Sequence, residues 1–201
     1  MTDLMDTLWH KTDYKVDLDQ LLWEWDHITS KMSKKHWLGH QTALQHSEYC
    51  DDIYRNACGH FSKLGYNKNL KMGVKLVGPR PIQLRYPEIK NESYFNKINP
   101  LYEDTIFEKI INDHNCTRAR IMLKPQHSTY SIHRDISPKG RYHLAMKTNE
   151  GAYFLWPNNK EGHFIRSLHI PDDGHVYWVN TSKMHTFINC GADRFHLVLN
   201  R

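Results

Sequence analysis

The most informative segment for the fold is residues 141–159, RYHLAMKTNEGAYFLWPNN. Two runs rich in aromatic and branched residues, 141–147 and 153–156, flank the sequence Asn149-Glu-Gly151. Such runs are typical of short β-strands, and Gly, Asn and Pro residues between them are typical of turns. The segment therefore predicts two short strands joined by a turn.

The same pattern continues on both sides of this segment. Six further β-prone runs, each bounded by turn residues, are Arg118–Leu123, Tyr130–His133, His163–Ile170, Val176–Val179, His185–Asn189 and Phe195–Leu199. Eight short strands at this spacing predict a sandwich or a small barrel, and a double-sheet jelly roll fits the strand count. A fold of this kind closes around a space that can hold a metal and a small ligand.

The part of the chain before residue 115 has a mixed pattern. Apolar residues recur at three- and four-residue steps from Leu18 to Ile28, which predicts an amphipathic helix with Asp17 as its N-cap. Two more helices are predicted at 45–64 and 102–113, and an extended segment at 71–84. We expect a mixed helical region, 1–114, to pack on a double-stranded β-helix core, 115–201, within one compact domain.

Composition narrows the class of protein. The 201 residues are 39% hydrophobic and 12% aromatic, which suits a folded domain rather than a disordered chain. No apolar run is long enough to span a membrane, and the first residues lack the pattern of a signal peptide, so we expect a cytoplasmic protein. Four widely spaced cysteines without a C-x-x-C pair argue against a zinc ribbon or a redox motif. The net charge of +5 permits an acidic partner but does not demand nucleic acid.

The segment Ile132-His133-Arg134-Asp135 carries the first candidate functional residues. Residues two apart in a strand face the same side, so His133 and Asp135 can point together into the mouth of the barrel. A second histidine, His185, begins a later strand. Two histidines and one carboxylate form the facial triad that holds non-haem iron(II) and leaves positions open for other ligands. With fifteen histidines in the chain, a His-x-Asp triplet alone is more often a surface pair, and here the order of the segments favours the metal site.

Three further residues are candidates for binding an anion. Arg194 lies at the start of the last strand, and an inward-facing arginine needs an anionic partner such as a carboxylate. The alternative is an arginine that faces solvent. Arg141 and His143 lie two apart in one strand and can reach the same pocket, or they can be a surface arginine and a packing histidine.

Several ordered segments resemble the aspartyl/asparaginyl β-hydroxylase family of the iron(II)/2-oxoglutarate-dependent dioxygenases. They cover roughly residues 115–201 and comprise 118–125 (RARIMLKP), 130–135 (YSIHRD), 141–146 (RYHLAM), 174–180 (GHVYWVN), 184–189 (MHTFIN) and 193–198 (DRFHLV). The resemblance implies a double-stranded β-helix, iron(II) and 2-oxoglutarate. It implies His133 and His185 as metal ligands, and Arg194, Arg141 and His143 as oxoglutarate contacts. Some members carry glycine where this chain has Asp135, and here Asp135 completes the triad and argues for hydroxylation over halogenation.

The sequence therefore leads to the hypothesis of an Fe(II)/2-oxoglutarate-dependent dioxygenase that uses O2. We expect it to hydroxylate a C–H bond of an amino-acid side chain of the Asp, Asn or Pro type, protein-bound or free. Its partner is then a small molecule or a peptide rather than a membrane or nucleic acid. Two alternatives stay open: a cupin-type metalloenzyme with other chemistry, and a non-catalytic β-barrel binding module.

Overall fold

The computed structural model describes residues 7–63, 79–135, 140–157 and 164–201, with only the backbone at 164 and 165. The chain divides into two compact units, Met1–Leu22 with Met122–Arg201, and Trp23–Ile121. The strands of the described part are β1 Trp9–Lys15, β2 Gln41–Ala43, β3 Gln45–His46, β4 Lys97–Ile98, β5 Thr117–Lys124, β6 Ser128–Thr129, β7 Arg141–Lys147, β8 Ala152–Pro157, β9 Phe164–Leu168, β10 His175–Val179, β11 Thr186–Asn189 and β12 Arg194–Asn200. Its α-helices are α1 Leu18–Ser30, α2 Ile82–Arg85 and α3 Ile106–Asp113, and short 3-10 helices cover Lys34–His36, Glu92–Tyr94 and Pro100–Tyr102.

Strands β5 to β12 are shared between two antiparallel sheets. The first sheet contains the order β10-β7-β12-β5, and the second has the order β6-β11-β8-β9. Eight strands divided in this way between two sheets form a jelly roll, the double-stranded β-helix predicted from the sequence. Strand β1 extends the first sheet by pairing with β10. The fold class is therefore confirmed.

Side chains on the inner faces of these strands make an aromatic core. Phe154 and Trp156 are buried at alternate positions of β8, with Tyr153 and Leu155 less buried between them. This alternation is what a strand with one face on the core requires. Phe154 packs against Phe187 of the neighbouring strand, with ring centroids 4.9 Å apart. The core lies next to the predicted metal ligands, since the ring of Phe154 is 6.2 Å from that of His185.

Seven of the eight predicted strands are present, and the prediction of a strand at Tyr130–His133 is wrong. Instead of a strand at Tyr130–His133, the chain forms the two-residue strand β6 and an isolated bridge between His133 and His185. The hydroxyl of Thr186 donates to the carbonyl of Tyr130 at 2.6 Å. This side-chain bond takes an acceptor that a regular ladder would use, which interrupts the strand.

The N-terminal prediction was correct for α1. The carboxylate of Asp17 accepts a hydrogen bond from the backbone N–H of Gln20 at 3.0 Å, as an N-cap does. The helix predicted at 102–113 is present as α3, which is shorter, after a 3-10 turn at Pro100–Tyr102. No helix in the described residues is both long and apolar enough to cross a membrane.

The second unit contains one clear error of prediction. A helix was predicted at 45–64, but Gln45 and His46 form β3, which pairs with β4. The Gln45 side chain also binds the carbonyl of Cys116 at 3.0 Å and the backbone N–H of Ala119 at 2.9 Å. These bonds to distant parts of the chain replace the local bonds of a helix, and sequence periodicity does not report them.

Two other predictions are settled in part. Most of the extended segment predicted at 71–84 lies outside the described residues, and its end is wrong because Ile82–Arg85 is the helix α2. The four cysteines are free thiols, three of them buried, as expected for a chain without a zinc ribbon. The division at residue 114 and the cytoplasmic location stay predictions.

Candidate metal and anion site

His133 and His185 are held side by side by the backbone. The N–H of each residue donates to the carbonyl of the other, at 2.9 and 2.8 Å. This closed pair of bonds is an isolated antiparallel bridge, and it brings the two imidazole centroids to 4.6 Å. The two histidines that the sequence separates are therefore neighbours in the structure.

Both imidazoles are oriented in the same way. Nδ1 of His133 lies 2.7 Å from the carbonyl of Ser131, and Nδ1 of His185 lies 2.9 Å from the carbonyl of Lys183. A carbonyl can only accept, so each Nδ1 carries a proton, and in the neutral imidazole Nε2 is then the nitrogen with the lone pair. Metal-binding histidines are commonly fixed through their second nitrogen in this manner. Burial also lowers the pKa of His185, which favours the neutral, ligating form.

Asp135 completes the predicted set of ligands. Its Oδ1 is 3.8 Å from Nε2 of His133, and its Oδ2 is 3.2 Å from Nε of Arg141. Its backbone N–H donates to the carbonyl of Thr181 at 2.8 Å, which fixes the segment after His133. Burial opposes ionisation, but the positive charge of Arg141, followed by the two histidines, outweighs it and lowers the pKa of Asp135. The carboxylate is therefore ionised at neutral pH.

The donor set is close to a metal site without being assembled into one. In the parts of the chain that the structure describes, no three His, Cys, Asp or Glu side chains converge at metal-binding geometry. The paired imidazoles of His133 and His185 and the nearby carboxylate of Asp135 are nevertheless the types of donor that iron(II) takes in a facial triad. The chemistry of these residues therefore fits iron(II), with Oδ1 of Asp135 as the oxygen available to it while Oδ2 faces Arg141.

Arg194 is buried, as the anion hypothesis required. Its exposed fraction is 1%, which rules out the alternative of an arginine facing solvent. Nε donates to Oγ1 of Thr148 at 3.0 Å, Nη1 contacts Nδ1 of His196, and Nη2 is buried without a hydrogen-bond partner. The guanidinium carbon lies 4.8 Å from the ring centroid of Phe187. Burial lowers the pKa of Arg194 to about 9.

His143 lies in the interior of the same jelly roll. Its exposed fraction is 5%, and neither ring nitrogen has a hydrogen-bond partner. Its ring is 5.0 Å from Phe154 and 5.5 Å from His196. Burial, followed by the charges of Arg194 and Arg141, holds the pKa of His143 well below its usual value. A neutral imidazole with unused nitrogens can donate to a bound ligand.

Two of the predicted oxoglutarate contacts thus differ in their surroundings from the third. Arg194 and His143 are buried, whereas Arg141 is half-buried and forms an ion pair with Asp135. The structure also adds partners that the sequence analysis did not single out, namely Thr148, Thr181 and His196. The signal for His196 was present, because it lies two residues after Arg194 in the same strand and so faces the same side.

Comparison with known proteins identifies no family for this chain. No family model matches it, and no curated protein does. Among solved structures it is similar to an oxidoreductase of the 2OG-Fe(II) oxygenase family from Burkholderia pseudomallei, at 13% identity and a TM-score of 0.48, over 98% of this chain and 86% of that one. It is also similar to IDO from Bacillus thuringiensis, at 10% identity and a TM-score of 0.47, over 96% and 88% of the two chains. A prolyl-4-hydroxylase from Pseudomonas putida is similar at 12% identity and a TM-score of 0.42, over 99% and 95%.

Proposed function

We propose that this protein is an Fe(II)/2-oxoglutarate-dependent dioxygenase that hydroxylates a C–H bond of an amino-acid side chain. The observation that carries the proposal is the His133–His185 pair, in which both Nδ1 atoms are fixed by carbonyls and Oδ1 of Asp135 lies 3.8 Å from Nε2 of His133. The substrate is an Asp, Asn or Pro type residue, protein-bound or free. The proposal rests on this chain's residues and on the resemblance of its motifs to the β-hydroxylases.

In this proposal His133, Asp135 and His185 hold the iron. The bound iron and 2-oxoglutarate supply the activation of O2, with succinate and CO2 as products. The bridge between the two histidines keeps both imidazoles in place before the metal arrives, because it belongs to the backbone. Such preorganisation reduces the cost of arranging ligands when the metal binds.

The remaining residues of the pocket bind and orient the co-substrate. Arg194 supplies a buried positive charge and an unused Nη2 for a carboxylate. His143 supplies an uncharged donor from the neighbouring strand. The buried aromatic residues Phe154 and Phe187 keep water away from both groups, which strengthens every polar contact made there.

Arg141 holds Asp135 in the ionised state and limits where its carboxylate can point. Oδ2 faces Arg141, so Oδ1 is the oxygen nearer to the histidines. A carboxylate that is hydrogen-bonded through one oxygen and binds metal through the other is a common arrangement around metals. In this proposal Arg141 acts on the metal through Asp135, and its contact with oxoglutarate stays a prediction.

The test is an anaerobic titration of the purified protein, first with iron(II) and then with 2-oxoglutarate. Visible absorbance is recorded throughout the titration. A keto acid that chelates iron(II) gives a weak charge-transfer band, and we expect this band in the wild type and not in His133→Ala. His169→Ala is the matched control, because His169 also places Nδ1 on a carbonyl, that of Ala152 at 3.0 Å, within the same jelly roll. A band that survives in His133→Ala would refute the assignment of the ligands.

A second candidate is a cupin-type metalloenzyme in which only the two histidines and solvent bind the metal. The ion pair between Asp135 and Arg141 favours it, since that carboxylate is already engaged. The same titration separates the candidates. A protein that binds iron(II) but gives no band with 2-oxoglutarate supports the cupin, and a protein that binds no iron supports the binding module.

A further inference from the structure

Lys124 is a buried lysine at the end of strand β5. Its exposed fraction is 3%, although a lysine at a strand end beside a turn usually reaches solvent. The backbone holds it in place, because Nδ2 of Asn189 donates to the carbonyls of both Lys124 and Pro125 at 3.0 Å. The burial of the Lys124 side chain is therefore a consequence of how the backbone is held at this position.

The Lys124 ammonium has an aromatic contact but no counter-ion. Nζ lies 3.3 Å from the ring centroid of Tyr130, which offsets part of the cost of burying the charge. Among the residues that the structure describes, no carboxylate is within ion-pair distance of Nζ. Burial lowers the pKa of Lys124 to about 8, with no charged neighbour to restore it.

Lys124 and Arg194 belong to the same end of the barrel. Asn189, which binds the carbonyl of Lys124, also binds the carbonyl of Ala192 at 2.9 Å. The backbone N–H of Gln126 donates to Oδ1 of Asp193 at 2.9 Å. The backbone N–H of Tyr130, whose ring lies under Nζ, donates to the carbonyl of Phe187 at 3.1 Å, and the Phe187 ring lies 4.8 Å from the Arg194 guanidinium carbon. These links join the segment after β5 to the turn that precedes Arg194.

Two buried cations at one end of a pocket are costly without an anion. Asp172 acts on Arg194 only at longer range, and its own Oδ2 accepts from the backbone of Thr148 at 3.3 Å. No carboxylate of the described residues forms an ion pair with Arg194 either. No described residue supplies this negative charge, and the carboxylate of a bound molecule fits a site made by one ammonium and one guanidinium.

We infer that Lys124 is a second cation of the oxoglutarate pocket and, together with Arg194, binds the carboxylate farther from the metal. This inference rests on the proposed function and makes Lys124 a specificity-determining residue. A site with two cations selects a dicarboxylic co-substrate, because a keto acid without the second carboxylate leaves both charges buried and unpaired. Tyr130 positions the ammonium through its ring face.

Calorimetric titration tests this inference with two probes, in the presence of Mn(II) and without O2. 2-Oxoglutarate carries the distal carboxylate, and 2-oxopentanoate has the same chain without it. We expect Lys124→Met to weaken 2-oxoglutarate binding by about 10- to 100-fold and to change 2-oxopentanoate binding by less than about twofold. Lys124→Arg keeps the charge and retains most of the affinity.

Lys147→Met is the matched control, because Lys147 is an exposed lysine on β7 opposite Phe195. We expect it to bind both probes as the wild type does. Wild-type affinity for 2-oxoglutarate in Lys124→Met, while Arg194→Met has lost it, would overturn the role of Lys124 and leave the proposed function intact. A wild-type protein that binds Mn(II) but neither keto acid would overturn the proposed function, and this inference with it.

Discussion

Arg141 Nε lies 3.2 Å from Oδ2 of Asp135, so the predicted carboxylate ligand of the metal is also half of an ion pair. The pair explains why the Asp135 carboxylate stays ionised despite its burial. It also makes Arg141 a positioning residue for the metal site, acting through Asp135.

The first prediction concerns this ion pair. Arg141→Met removes the group that orients Oδ2, and we expect the affinity for Mn(II) to fall by about 10- to 100-fold, as for other residues that orient metal ligands. Equilibrium dialysis with Mn(II) measures the change. The control is Arg166→Met on strand β9, because Arg166 is exposed. Tighter Mn(II) binding in Arg141→Met would show instead that Arg141 competes with the metal for Asp135.

The second prediction contrasts two buried histidines. His143 has no hydrogen-bond partner on its ring, so His143→Leu removes an unsatisfied polar group and should raise the free energy of unfolding by roughly 1 kcal/mol. The same change should weaken 2-oxoglutarate binding. His196→Leu is the contrast, because His196 accepts from Arg194, and its loss should lower the unfolding free energy. Urea unfolding of the wild type, His143→Leu and His196→Leu measures these free energies. Equal destabilisation by the two substitutions would contradict the prediction.

The third prediction concerns Lys124 and pH. Its pKa in the folded protein is about 8, below the ordinary value of 10.5, so the unfolded chain binds more protons between these values. Stability therefore rises with pH across this range, and the penalty of the buried charge is fully present below about pH 8. We expect Lys124→Met to be more stable than wild type at pH 7, by roughly 1–3 kcal/mol, and the difference to shrink toward pH 10. A difference that is the same at both pH values would refute the buried-charge account.

The fourth prediction concerns the asparagine that closes the end of the barrel. Nδ2 of Asn189 binds three backbone carbonyls, and its Oδ1 accepts from Asn149 at 2.9 Å. Asn189→Ala leaves these buried groups without partners and should lower the free energy of unfolding by about 2–4 kcal/mol. Asn189→Asp keeps the acceptor but loses the donor, so we expect an effect of similar size. Thermal unfolding gives the comparison, and a change in Tm of less than a degree would contradict it.

Much of the fold could be predicted because its strands are short and alternate with turn residues. Strands β7 and β8, which belong to different sheets, follow directly from residues 141–157, because two runs of branched and aromatic residues flank a turn and β8 alternates in burial. A strand was predicted at Tyr130–His133 but does not form. The hydroxyl of Thr186, which is distant in sequence, donates a hydrogen bond to the carbonyl of Tyr130, and the local sequence could not show this. The helix predicted at 45–64 was wrong for a similar reason, since the bonds of Gln45 reach Cys116 and Ala119.

The candidate site shows the same limit. The spacing of His133, Asp135 and His185 suggested that their side chains meet; the structure pairs the two histidines and places Asp135 near His133, and a common metal stays a prediction. Sequence spacing could not show that Arg141 forms an ion pair with Asp135. That contact depends on the position of β7 relative to the β-bridge between His133 and His185. Lys124 was not predicted as a site residue because a lysine before a proline is expected at the surface, and only its burial in the fold sets it apart.

The central claim is that His133, Asp135 and His185 together hold one metal ion, and iron(II) stoichiometry under anaerobic conditions tests it most directly. The account predicts one iron per chain in the wild type and in His169→Ala, and none retained after desalting in His133→Ala or His185→Ala. A wild-type protein that holds no iron, or a His133→Ala protein that holds as much as the wild type, would contradict it.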